Sequence, residues 1–340
     1  CNVGLMSISA FSHLRTDSIS FEFCKINESS QSAIEVFSDT TATIMHMDEC
    51  IIQDCVKGIL AAGNVELRPN KTTFERLVSY YIQLDWANTA IINLKPVDAT
   101  QCVFDGSTGS ANTITGNFDI ENQIRHYMDD ESFGFVTFHT NNVYVSGIDG
   151  NSFIRRGIET SQDDFNIRVT NVLGAEDLVV DKQLRLYLYG PVESANLTMD
   201  ASSKQLFVHD TLTVTDGLRL NSGRLNTRDG LVSVGKILIN PANTKVVAPG
   251  ASYVDGPLEI VIQTTGADTI TYPIGTAMST RPLGLILTNR TIGSWDKVTI
   301  SLEQGMTPVL PVSNGISHVS QIHYWDVSSS NNVTHENIEY

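Results

Sequence analysis

Short runs of alternating apolar and polar residues, broken by polar turns, fill the first third of the chain. Residues 18–105 repeat one such pattern, and its recurring positions lie 23 to 26 residues apart. Apolar residues and cysteines at these positions predict a stacked, inward-facing ladder, which consists of Cys24, Ile26, Ile34, Cys50, Ile52, Ile59 and Ile82.

A period of this length is typical of solenoid proteins, in which each repeat forms one coil. A single coil is too thin to bury its own apolar face, so neighbouring coils must stack to form a continuous core. We therefore predict a β-solenoid over residues 1–245. An insertion is expected around 105–135, because residues 120–134 carry polar side chains at the spacing of a short helix or a loop.

A second pattern begins near residue 176, where Leu or Val occupies every second position. Asp-Gly and Ser-Gly pairs at 216–217, 222–223 and 229–230 separate these runs. Such pairs favour β-hairpins, and they also suit the corners of a narrow solenoid. We expect the solenoid to continue, with one apolar face formed by Leu212, Val214, Leu218, Leu220, Leu225, Leu231 and Val234.

From residue 246 the β runs are spaced as in a sandwich. The predicted fold class is therefore all-β: a solenoid followed by a C-terminal antiparallel β-sandwich of immunoglobulin-like type over 246–340.

The stretch Met47–Ile59 reads MDECIIQDCVKGI, with Ile and Cys alternating before a glycine. It resembles the coils of right-handed parallel β-helix proteins, the pectate-lyase-like superfamily. The resemblance implies inward ladders of Ile, Val and Cys, with Gly at the turn into the next strand.

A second resemblance covers roughly residues 205–330. Its motifs are, in order, Ser252–Leu258 (SYVDGPL), Tyr272–Gly275 (YPIG), Arg281-Pro282 and Tyr324-Trp325. They resemble a module of large secreted surface proteins of Bacteroidota, although Asp255 and Tyr272 replace the usual Asn and Phe. The resemblance implies an extracellular structural module, often found in adhesins, gliding proteins or secretion-system cargo, and it implies no catalytic residues.

Composition narrows the classes of partner. The chain has 340 residues, a net charge of −16 and only 18% charged residues, with 41% hydrophobic residues. This balance indicates an ordered chain with a sizeable core. An acidic surface disfavours nucleic acid and anionic membranes. No apolar run reaches the length of a transmembrane helix.

Five cysteines, all in the first third of the chain, do not form a disulfide framework or a zinc motif. We expect buried structural thiols, with one bridge between Cys24 and Cys50 as the alternative. No metal ligands and no cofactor are predicted, although acidic turns leave Ca²⁺ as an alternative.

Catalytic β-helix proteins place carboxylates along one exposed face. The candidates for such acid–base or Ca²⁺ chemistry are Asp48, Glu49, Asp54, Asp105, Asp129, Asp130, Asp163 and Asp164. The simpler interpretation is a set of solvated acidic turns, so no catalytic residue is assigned.

Exposed aromatic rings are the better indication of carbohydrate contact. The candidate sugar-binding residues are Tyr80, Tyr81, Trp86, Tyr187 and Tyr189, although core packing uses the same residue types more often.

The function expected from these observations is a non-enzymatic structural or adhesive segment of a large extracellular surface or filament-forming protein. Its expected partners are copies of itself, neighbouring domains of a longer chain, and surface glycans. One alternative is a polysaccharide-active β-helix enzyme, a lyase or hydrolase resembling a phage tail-spike depolymerase. The other is a carbohydrate-binding module without turnover.

Overall fold

The computed structural model describes residues 6–9, 18–22, 24–27, 31–85, 96–104, 113–147, 153–172, 176–234, 252–262, 266–276, 279–290, 296–305 and 323–329. The chain is mostly β and forms a β-solenoid of about eight turns, which confirms the predicted solenoid. It divides into two compact units, Cys1–Thr160 and Ser161–Tyr340. In the part of the chain that the structure describes, no helix is long and apolar enough to cross a membrane.

The first unit contains thirteen described strands and two described helices. They are β1 (Met6–Ser9), β2 (Ser18–Glu22), β3 (Lys25–Asn27), β4 (Ser32–Asp48), β5 (Ile51–Gln53), β6 (Lys57–Asn70), β7 (Thr73–Glu75), β8 (Ile82–Asp85), β9 (Val97–Asp98), β10 (Val103–Phe104), α1 (Ile114–Glu121), β11 (Ile124–Arg125), β12 (Val136–Thr137), β13 (Asn142–Ser146) and α2 (Ile154–Thr160).

Parallel pairing between successive coils builds this unit. One sheet has the order β1-β4-β6-β8-β11, with β2 also paired to β4, and a second has the order β10-β7-β5-β3. A third, short pairing joins β9 to β12. The long strands β4 and β6 each follow two sides of a coil, with a register shift between Ser38 and Thr43.

The predicted inward ladder lies in register. Ile34 pairs with Ile59, which pairs with Ile82, and Ile124 extends the same column. On another side of the coil the column runs Ile26, Ile52, Phe74 and Phe104. These side chains are buried in one core cluster, so each coil covers the apolar face of the next.

Cys24 and Cys50 occupy equivalent positions just before β3 and β5. The N–H of Ile51 donates to the carbonyl of Cys24 at 2.8 Å, which stacks the two positions. Both cysteines are free thiols, so the alternative of a bridge between them is wrong. Burial raises the pKa of the Cys50 thiol, as expected for an unreactive core cysteine.

An insertion separates the columns of the last coils in this unit. Ile82 and Ile124 are stacked neighbours although 42 residues separate them. Helix α1 lies inside this interval. Residues 124–125 form a strand of the stack and not the helix or loop that the sequence predicts. Residues 105–112 lie outside the described part of the chain.

The second unit is built from thirteen described strands. They are β14 (Phe165–Thr170), β15 (Asp177–Val180), β16 (Leu184–Leu188), β17 (Glu193–Asn226), β18 (Gly230–Val234), β19 (Ser252–Asp255), β20 (Leu258–Ile262), β21 (Gly266–Tyr272), β22 (Gly275–Thr276), β23 (Ser279–Thr280), β24 (Leu283–Arg290), β25 (Asp296–Gln304) and β26 (His323–Ser329).

Strands β14 to β20 stack in parallel, so the Asp-Gly pairs belong to solenoid corners and not to hairpins. Strand β17 pairs with β15, β16, β18 and β19. A Cβ added at Gly230 would lie 2.3 Å from the carbonyl oxygen of Asp210 in the preceding coil. Only glycine leaves room for such a close approach of two backbones.

The predicted apolar face of this region is only partly correct. Leu212, Val214, Leu218 and Leu225 are buried. Leu231 is half-buried because it pairs with the exposed Thr211, whereas the neighbouring Val232 pairs with the buried Leu212. Leu220 is half-buried too, and the Val234 side chain lies outside the described residues.

A C-terminal sheet of antiparallel strands is present, as predicted. Strand β20 pairs in parallel with β18 and antiparallel with β25, which in turn pairs with β26. The pairs β21–β24 and β22–β23 are also antiparallel. The predicted domain boundary at 245/246 falls outside the described residues.

The C-terminal motifs meet one another in the folded chain. The N–H of Val254 donates to the carbonyl of Pro273 at 2.8 Å, and the N–H of Arg281 donates to the carbonyl of Ile274 at 2.8 Å. The buried Tyr272 hydroxyl donates to the carbonyl of Val298 at 2.9 Å. These motifs therefore hold the last parallel strands against the antiparallel ones.

Candidate functional site

Three of the candidate carboxylates lie at solenoid corners and bind the next coil. Asp54 accepts two hydrogen bonds from Arg76, at 2.6 and 2.7 Å. Glu49 pairs with Lys71 at 3.1 Å, and Asp48 accepts a hydrogen bond from the side chain of Asn70. Each partner is 22 residues away, one coil along the stack. We call such polar contacts between neighbouring coils coil-to-coil ties.

The backbone places these side chains. Glu49 and Asp54 flank β5, Lys71 and Arg76 flank β7, and all four have a positive φ between 46° and 55°. Non-glycine residues adopt this left-handed region only where the surrounding structure fixes it. Parallel pairing of β5 with β7 stacks the two sets of corners, which brings an acid of one coil beside a base of the next.

The ties shift the ionisation of their members. The hydrogen bonds from Arg76 lower the pKa of the Asp54 carboxyl. The hydrogen bond and charge of Glu49 raise the pKa of Lys71. Both pairs are exposed, so solvent and salt screen them and each contributes little to stability on its own.

Coil-to-coil ties recur in the second unit. Asp163 accepts the N–H of Gln183 in the next coil at 2.9 Å. It also pairs with Lys204, one coil further on, at 2.7 Å. Further ties join Asn196 to Asp177, Ser222 to Asp200, and Ser233 to Glu259.

Asp129 and Asp130 act within their own turn. Asp129 accepts the N–H of His126 at 2.8 Å, and Asp130 accepts the N–H and hydroxyl of Ser132. These bonds lower the pKa of Asp130. Asp105 lies outside the described residues. Across the described ranges, no group of three or more His, Cys, Asp or Glu side chains could hold a metal ion.

A groove of about 300 Å³ lies on one side of the first unit, and the sequence analysis does not single out the two carboxylates in it. Glu66 and Asp98 line it, together with Leu67, Arg68, Asn70, Pro96 and Gln101. Glu66 is paired with Arg68 at 2.6 Å, and Asp98 accepts the N–H and hydroxyl of Thr100. Its lining exposes slightly more apolar than polar surface, and both carboxylates already have partners.

A buried pair, Glu121 with His126, is also absent from the sequence prediction. His126 Nε2 lies 2.9 Å from Glu121 Oε1, and His126 Nδ1 accepts the N–H of Val136 at 3.0 Å. The ring therefore carries its hydrogen on Nε2. Burial raises the pKa of Glu121. The pair fastens the end of α1 to the stack. The sequence does not indicate it, because a Glu and a His five residues apart match no known motif.

The aromatic candidates do not form one site. Tyr81 is in the core, with its ring 6.1 Å from Phe74 and 5.1 Å from Phe104, so it presents no face to a sugar. Tyr80 is half-buried, and Trp86 lies outside the described residues.

Tyr187 and Tyr189 lie in the second unit, two residues apart, so their side chains are on the same face of the sheet. Arg168 pairs with Tyr187, which pairs with His209. The Arg168 guanidinium lies 4.7 Å from the Tyr187 ring centre, and the His209 ring stacks on that ring at 4.2 Å and 3°. Both faces of Tyr187 are therefore covered.

A parallel row runs beside it. Arg185 pairs with Phe207, and the guanidinium lies 5.2 Å from the ring centre. Tyr189 accepts a hydrogen bond from Arg168. We call these two rows together with Tyr189 the arginine–aromatic face; it consists of Arg168, Arg185, Tyr187, Tyr189, Phe207 and His209.

Comparison with protein-family models, with curated proteins and with solved structures found no match to this chain.

Proposed function

We propose that this chain is a non-enzymatic structural or adhesive segment of a large extracellular protein. One observation carries the proposal: charged and polar side chains at several solenoid corners are used in coil-to-coil ties. Asp54–Arg76, Glu49–Lys71 and Asp177–Asn196 are examples. Side chains that bind each other stabilise a rigid stack and are not poised for chemistry on a substrate.

The extracellular location rests on the resemblance of the four C-terminal motifs to surface-protein modules. The same resemblance supports the origin in Bacteroidota and the expected partners, which are neighbouring domains or further copies of the chain. Antibody labelling of unpermeabilised source cells tests this part. Labelling only after permeabilisation would overturn it.

A polysaccharide-active enzyme is the second candidate, favoured by the groove that contains Glu66 and Asp98. The chain is to be incubated with neutral and acidic polysaccharides, and the appearance of new reducing ends or unsaturated products measured. We expect none. Turnover that is lost in the Glu66→Gln or Asp98→Asn variant would replace the structural proposal by the enzymatic one.

A further inference from the structure

We infer that the arginine–aromatic face binds an extended anionic polysaccharide, one that carries a charged group on each sugar. The inference rests on the adhesive part of the proposed function, for which it names the ligand.

The first argument is charge. The chain carries a net charge of −16, yet the outward positions 166, 168, 170, 185, 187, 189 and 207 include two arginines and no acid. An acid comes in only at the edge of the face, where Asp229 lies 3.6 Å from His209. A cationic area on an acidic protein attracts the acidic surface of other copies of the protein, which lowers its solubility. Such an area attracts anions locally in spite of the net charge.

The second argument is that Arg185 has no anionic partner. Among the described residues it contacts the Phe207 ring and forms no hydrogen bond or ion pair. The contact with the ring holds the guanidinium against Phe207, and Arg185 is half-buried. A guanidinium held in this way is pre-organised for a carboxylate or a sulfate, because its planar fork matches their oxygens.

The third argument is shape. The face is part of a regular sheet in which Arg168, Tyr187 and His209 belong to three successive coils. Parallel strands are spaced about 4.8 Å apart, so the two arginines, Arg168 on β14 and Arg185 on the paired strand β16, lie a short distance apart on the same sheet. A stiff polysaccharide can follow such a row with little loss of conformational entropy, whereas an acidic peptide would have to be ordered.

The aromatic residues suit the sugar rings between the charges. Because Tyr187 is covered on both faces, the sugar contacts ring edges and hydroxyl groups and does not stack on an open ring. The Tyr189 hydroxyl, already oriented by Arg168, is such a polar edge.

Titration calorimetry with three probes of equal length tests the inference: alginate oligomers, sulfated dextran oligomers and neutral dextran oligomers. We expect the anionic probes to bind, and binding to weaken as salt is raised. Arg185→Ala should weaken it about tenfold, which corresponds to ~1.4 kcal/mol, and Arg185→Lys should restore part of the loss. Arg219→Ala is the matched control, because Arg219 is a half-buried arginine of the same unit outside the face.

Equal binding of neutral dextran, or of polyglutamate measured as an additional peptide probe, would overturn the inference, as would an unchanged affinity in the Arg185→Ala variant. Absence of binding to either anionic probe would overturn it too, and would leave the structural proposal intact. Release of shortened products would instead contradict the proposed function. Thermal unfolding of each variant is the control that tests whether the fold is retained.

Discussion

The guanidinium of Arg76 binds both carboxylate oxygens of Asp54, which lies one coil earlier in the stack. Two residues in left-handed backbone conformation, with φ of 55° and 51°, make this contact. A tie of this kind fixes the register of two short strands, β5 and β7, that have only three residues each.

Asp54→Asn should lower the unfolding temperature at neutral pH, and the difference from the wild type should disappear in acid. Arg76 lowers the pKa of Asp54 in the folded state. The stabilisation is therefore present above the unfolded pKa and is lost as pH falls through the folded one. Thermal unfolding at several pH values measures this. Asp119→Asn, at an exposed residue of α1, should show no such dependence, and a pH-independent effect of Asp54→Asn would contradict the prediction.

The solenoid could be predicted because its inward columns must be apolar at a fixed period, as in Ile34, Ile59 and Ile82. The corners were harder. In the sequence, Glu49 and Asp54 are indistinguishable from solvated acids. Their partners Lys71 and Arg76 can be identified only when the length of the coil is known. Tyr81 was harder for another reason: Tyr80 and Tyr81 are neighbours of the same type, and the sequence does not show which of the two rings is buried.

Ile59→Ala should destabilise the first unit by about 2–5 kcal/mol, the usual cost of a cavity at a buried isoleucine. Ile59 is completely buried between Ile34 and Ile82. Val78→Ala is the control, because Val78 is 80% exposed and its loss should cost no more than about 0.5 kcal/mol. Urea unfolding measures both, and equal costs would show that the column is not packed as described.

Gly223→Ala should destabilise the second unit by more than about 1 kcal/mol. Gly223 has a φ of 85°, and an added Cβ would lie 2.3 Å from the carbonyl oxygen of Ala201. The matched change Gly284→Ala meets nothing within 4 Å and should be tolerated. If both variants unfold at the same denaturant concentration, the corner at Gly223 is not as tight as the structure has it.

His126→Ala should cost about 1–3 kcal/mol, because it leaves the Glu121 carboxyl buried without its hydrogen-bond donor. It also removes the acceptor of the Val136 N–H. Asn142→Ala offers a comparison on the same unit, at a half-buried residue whose bonds to His139 and Thr140 are local. Urea unfolding at neutral pH measures both, and a smaller loss for His126→Ala than for Asn142→Ala would contradict the role given to the pair.

Glu121→Gln should behave differently from His126→Ala, because it removes a buried charge and keeps an oxygen that accepts the His126 Nε2–H. Burial raises the pKa of Glu121 in the folded state. Its contribution to stability is therefore full below the unfolded pKa and is lost as pH rises through the folded one. The stability of Glu121→Gln relative to the wild type should accordingly increase with pH in urea unfolding. Glu193→Gln, at an exposed residue of β17, should show no such trend. A relative stability of Glu121→Gln that stays constant with pH would mean that the carboxyl is not held in a desolvated site.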